Sequence, residues 1–105
     1  MIAENVFYEL RKSNASLSVS EFSRQYLGRS RSYLSNRRHH QKEISASVLM
    51  RLVQKLRQTA SAWRQAADRE KDPQLAQRWR QLSKEHLELA DRVLADWLCD
   101  SGISS

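Results

Sequence analysis

The stretch with the most evident chemistry is Ser30-Arg31-Ser32-Tyr33-Leu34-Ser35-Asn36-Arg37-Arg38. Its guanidinium, amide and hydroxyl groups form a donor-rich surface, suited to hydrogen bonding with phosphates or with the edges of bases. Only Tyr33 and Leu34 can anchor it. A helix over Arg31–Arg38 is too short and too polar to stand alone, so neighbours must hold it. A helix that enters a groove about 12 Å wide needs a second helix braced behind it. That demands an apolar contact, a small residue at the crossing and a tight turn between the two. Phe22, Tyr26 and Leu34 can supply the contact, Ser23 the small residue and Gly28 the turn.

The charge balance points the same way. The 105 residues carry a formal net charge of +6, which favours a polyanionic partner. Residues 1–58 hold eleven Lys/Arg against four Asp/Glu, a net +7, whereas residues 59–105 hold seven against eight, a net −1. The basicity therefore belongs to the first half. A membrane-surface helix should set a wide apolar face beside its basic residues, and the basic segment lacks one. Cys99 is the single cysteine, which excludes an intrachain disulfide. No stretch is apolar enough to span a bilayer and residues 1–15 lack a signal-peptide core, so a reduced cytoplasmic setting is expected.

Catalysis and metal binding find no support. Adjacent His39 and His40 point apart on a helix, and no Cys or carboxylate set completes a site. The serines near His39 have no orienting Asp and no Gly-rich loop. His86 lies on an apolar seam, where a hydrogen-bonded core or interface histidine is expected. The protein is thus expected to be no enzyme and to need no cofactor or metal.

A hydrophobic content of 40% with two Gly and one Pro predicts an all-α fold. Val6, Phe7 and Leu10 share a face of a first helix over Ala3–Lys12, and Ser13–Ser16 breaks it. Ser18 and Glu21 form a capping box, Leu17 and Phe22 a hydrophobic staple, and the helix they open ends near Leu27–Gly28. Ser30 is the expected cap of the third helix, and His39–Glu43 a polar linker. Ser45 caps a fourth helix, stapled by Ile44 and Leu49, with Val48, Leu52, Val53 and Leu56 on its apolar face. That face continues through Ala60, Trp63 and Ala67. Pro73 opens a last helix with Asp72 as its cap. In it Leu75, Trp79, Leu82, His86, Leu89, Val93 and Trp97 make nearly a heptad seam.

The run Glu21–Ser35 resembles the helix-turn-helix of the lambda-repressor/Cro-like family. The closest part, Leu27-Gly28-Arg29-Ser30-Arg31-Ser32-Tyr33-Leu34-Ser35, is similar to that family's Leu-Gly-Val-Ser-Arg-Ser-Thr-Ile-Ser pattern. Val48–Leu56 resembles the helix that follows the recognition helix, so the likeness covers about residues 3–58. Two departures stand out: the interval from Ser23 to Gly28 is one residue longer than usual, which the first motif helix or its turn must absorb, and Arg37 stands where an apolar residue is usual. The resemblance implies that Arg31, Ser32 and Asn36 face bases, Arg31 matched to guanine O6/N7 and Asn36 to adenine N6/N7. Tyr33 would touch a thymine methyl or a phosphate. Ser30 would bind a phosphate at the helix N-terminus, and Arg24, Arg29, Arg37, Arg38 and Lys42 would neutralise others.

The expected organisation is a four-helix, helix-turn-helix DNA-binding domain over residues 1–58, a helical hairpin over 59–100 and a frayed tail over 101–105. The hairpin either folds back on the N-terminal bundle or dimerises through Trp63, Leu75, Trp79, Leu82, Leu89, Val93 and Trp97. A dimer doubles the base contacts and reads a palindromic operator. The expected function is a homodimeric, sequence-specific regulator of double-stranded DNA, a repressor of bacterial, phage or mobile-element type, found on the nucleoid when bound. The alternative is an adaptor or anti-activator that grips another regulator with its C-terminal helices.

Overall fold

The computed structural model describes residues 2–39 and 45–100, with the side chains of 38, 39, 99 and 100 left aside. Five helices account for the regular structure of the described residues: α1 (Ile2–Ser13), α2 (Val19–Gln25), α3 (Tyr33–His39), α4 (Ala46–Arg69) and α5 (Pro73–Asp100). None is long and apolar enough to cross a membrane.

Local rules account for most helix ends. The Ser18 hydroxyl accepts the Glu21 N–H at 3.1 Å, capping α2 as its spacing predicts. The Asp72 carboxylate takes the Gln74 N–H at 2.9 Å, which leaves Pro73 at the first helical position, where its missing N–H costs nothing. Ser45 stands at the head of α4 but makes no side-chain cap; its hydroxyl lies 3.2 Å from that of Ser47. Ile44, the expected staple partner, is outside the described residues, as is most of the His39–Glu43 linker.

The core is continuous across the chain. Ala3, Val6, Phe7 and Leu10 of α1 share one buried cluster with Phe22, Leu27 and Leu34 from the α2–α3 region and with Leu52, Val53 and Leu56 of α4. The Phe22 ring lies 5.4 Å from Phe7 and stacks at 5.5 Å on Tyr26, so one aromatic run ties α1 to the end of α2. Burying a side chain of this size removes it from water for about 1.5–3 kcal/mol. Leu89, Ala90 and Val93 of α5 complete the same cluster.

That last contact places the C-terminal part of the hairpin seam on the N-terminal bundle. The seam of α5 faces inward along much of its length, against α4 and α1. Leu89 is 7% exposed and Val93 1%, so both belong to this chain's own core and are not available to a second copy. Trp97 packs on the core edge, and Leu82, Trp79 and Trp63 are half-buried, while Leu75 stays exposed. The division at 58/59 also falls inside α4, which runs unbroken from Ala46 to Arg69. The two regions therefore share a helix and a core.

Small residues let α4 and α5 approach closely. Ala60 and Ala67 on α4 and Ala76 and Ser83 on α5 are all buried. The Ser83 hydroxyl donates to the Ala60 carbonyl at 2.7 Å and so satisfies itself between the helices. Trp63 and Trp79 meet at 6.0 Å beside this contact. The exposed Asp68–Arg80 pair, at 3.5 Å, adds little.

Candidate nucleic-acid interface

The α2–α3 unit is built around Ser23. Its side chain is fully buried, and its hydroxyl accepts the N–H of Leu34 at 3.2 Å. Leu34 N–H belongs to the first turn of α3, where no backbone carbonyl lies within helical reach. An α2 side chain thus does for α3 what an N-cap residue does for most helices. This explains a difference from the expected boundary. The helix starts at Tyr33, not Arg31; Arg31 and Ser32 lie in a turn closed by the Tyr33 N–H on the Ser30 carbonyl at 3.1 Å. Ser30 is accordingly not the cap residue, and the first intrahelical acceptor is the Ser32 carbonyl, 2.9 Å from Asn36 N.

Replacing Ser23 with alanine leaves the Leu34 N–H buried without a partner. The expected loss is about 1–2 kcal/mol of stability, read by urea denaturation. A neutral Ser23→Ala would show that the bond does not hold α3.

The chain leaves α2 through a wide turn. Leu27 N–H reaches back five residues to the Phe22 carbonyl at 3.3 Å, and Arg29 N–H six residues to that of Ser23 at 3.1 Å. Gly28 takes a φ of +65° between them, a region in which an L side chain costs about 1–2 kcal/mol. A Cβ there would also land on the Arg51 guanidinium, which lies across the turn from α4. Gly28→Ala is therefore expected to cost about 1–2 kcal/mol, mainly in φ, because the flexible Arg51 can step aside. Circular-dichroism melting checks this, and an unchanged Tm would sink the account.

The outer surface of this unit is exposed and basic. Arg29, Ser30, Arg31, Ser32, Ser35 and Asn36 are solvent-facing, opposite the buried Leu34. No Asp or Glu occurs between Phe22 and Lys42. Among the described residues Arg24, Arg29, Arg31 and Arg37 form no ion pair, so their charge is free to meet an external anion. Tyr33 is half-buried against the core, and its ring is flanked by Arg29 at 5.9 Å and Arg37 at 5.2 Å. Its clearest task is to hold those two guanidinium groups in place. Arg38 lies in α3 without a described side chain, and Lys42 is outside the described residues.

Sequence reasoning missed Arg51 and Lys55. They follow one another by one turn on α4 and, with Gln25, Gln54 and Gln58, line a polar groove of about 200 Å³ beside the Gly28 turn. Their i, i+4 spacing on the polar side of α4 was the available signal. Among the described residues no group of three or more His, Cys, Asp or Glu side chains could hold a metal. His86 is buried, and its Nδ1–H donates to the Leu82 carbonyl at 2.7 Å.

Fold and surface together define an all-helical protein that presents a short, unneutralised basic helix on a shared hydrophobic core. The chain belongs to a family of unknown function, DUF6626, which matches residues 3–98. No curated protein matches it, and no solved structure does.

Proposed function

We propose that this protein is a sequence-specific, double-stranded DNA-binding regulator that uses α2 and α3 as a helix-turn-helix and represses by occupying its operator. The observation that carries this reading is the exposed band Arg31, Ser32, Ser35 and Asn36, backed by Leu34 and the Ser23 tether and free of carboxylates. Arg31 and Asn36 offer the pairings suited to guanine and adenine edges, and Ser32 adds a hydroxyl. Arg24, Arg29 and Arg37 flank them, with Arg51 and Lys55 on the adjoining helix, as the phosphate-binding rim. Tyr33 supports the rim as a platform and is a weaker candidate for base contact than the three exposed side chains.

The proposed functional unit is a homodimer on a palindromic site. With Leu89 and Val93 committed to the core, the partner surface shifts to the outer side of α5. Leu87 is 45% and Leu98 40% exposed, and the two stand three turns apart on one face, with Leu94 between them. A second copy covering this strip places two α3 helices in one assembly.

Selection from random duplexes, with light scattering on the free protein, tests both halves. The expected result is enrichment of one inverted repeat and a dimeric mass, with Leu87→Glu reverting the mass to monomer. Affinity should fall with salt while the preference for the selected duplex survives. A monomer that enriches no sequence overturns the proposal and favours a protein-interaction module.

A further inference from the structure

A groove of about 420 Å³ lies where the end of α1 and the end of α2 meet the α4–α5 hairpin. Its body is apolar, formed by Leu10, Leu17, Trp63 and Leu82. The polar groups around it are unequal. The Thr59 hydroxyl donates to the Lys55 carbonyl at 2.8 Å, and burial pushes the Tyr26 pKa up. His86 has given its Nδ1–H to Leu82, which leaves Nε2 as the ring's other polar atom. Arg78 is the one permanent charge in the lining, which contains no carboxylate, and it forms no ion pair among the described residues.

We infer that this groove is a binding site for a small monocarboxylate with an apolar, aromatic-sized body. Its volume falls in the usual range for small-molecule sites, roughly 300–1,000 Å³, and so does its pattern of apolar walls with a few polar groups. Arg78 selects the sign of the ligand, because a guanidinium receives a carboxylate through two parallel hydrogen bonds. A single guanidinium balances one negative charge, which favours a carboxylate over a phosphate monoester that carries about −1.5 to −2. A cationic ligand would meet Arg78 with no carboxylate to offset it. Tyr26 ends α2 just ahead of the Gly28 turn, so a molecule bound here rests against the element that carries α3.

Nuclear magnetic resonance titration of the full chain tests this with 4-phenylbutyrate, indole-3-acetate and octanoate, each beside its uncharged amide. Saturable shifts are expected at the Trp63 indole N–H and at the amides of Tyr26, Thr59 and Leu82. At least one acid should bind about tenfold more tightly than its amide. Arg78 is exposed, so Arg78→Gln should fold normally, erase that preference and leave amide binding unchanged. The inference is overturned if no acid gives saturable shifts in the groove, if acid and amide bind alike, or if the shifts fall on the Arg31–Arg37 surface instead.

Discussion

Replacing Leu34 with alanine is expected to remove about 2–5 kcal/mol of stability and to release α3 from the rest of the fold. Leu34 is fully buried, and Tyr33, its only apolar neighbour in the helix, is half-exposed. A seven-residue helix cannot persist in water on its own hydrogen bonds. Truncating its one deep anchor therefore does more than open a cavity. The Ser23–Leu34 bond loses the packing that aligns it, and the exposed band loses its backing. The remaining core, from Phe7 and Phe22 through Leu52 and Leu56 to Val93, does not depend on α3 for its contacts between α1, α4 and α5. Hydrogen exchange should consequently show loss of protection concentrated in residues 33–39, with α4 and α5 still protected. Urea denaturation gives the magnitude, and Gln77→Ala on the exposed side of α5 serves as the control, expected within about 0.5 kcal/mol of the parent. Uniform loss of protection along the whole chain would show that α3 is integral to the core instead of docked upon it.

Arg31→Ala is expected to cost about 1–3 kcal/mol at one base pair of the proposed operator, roughly fivefold to 150-fold, and little on unrelated duplex. Arg31 is exposed, lies in the turn that leads into α3 and has no ion-pair partner among the described residues. Nothing in the fold depends on it, so the melting temperature should not move. Arg24→Ala, on the last turn of α2, is expected to behave differently. It should weaken all sequences alike and lower the slope of log affinity against log salt by about one, the signature of a lost phosphate contact. Competition binding against single-base operator variants separates the two outcomes. If Arg31→Ala weakened every duplex equally, Arg31 would belong to the phosphate rim and base reading would rest on Ser32 and Asn36.

The all-helical class and most of the helix ends were legible in the sequence because they obey rules confined to a few neighbouring residues. Ser18 caps α2 through a bond to Glu21 three positions on, Asp72 caps α5 across Pro73, and Gly28 takes the positive φ that glycine alone adopts without strain. The apolar faces of α1 and α4 were likewise legible, since a helical period declares which side chains share a side. Where α3 begins was not, because its first turn is satisfied by Ser23, eleven residues away and on another helix. Nor could the sequence reveal that Arg51 lies over Gly28, or that Arg29 and Arg37 share the Tyr33 ring.

The basic segment from Arg29 to Arg38 kept its place as the candidate interface, but its frame changed. By itself the sequence determined the helical class, the segregation of positive charge into the first half and the apolar faces of α1 and α4. Tertiary structure alone decided what those faces meet. A heptad-like seam records that a side of α5 must be covered, and it is indifferent to whether the cover comes from another copy or from the same chain. Here α1 and α4 supply it, so Leu89 and Val93 are core residues, and the face of α5 left exposed carries Leu87 and Leu98.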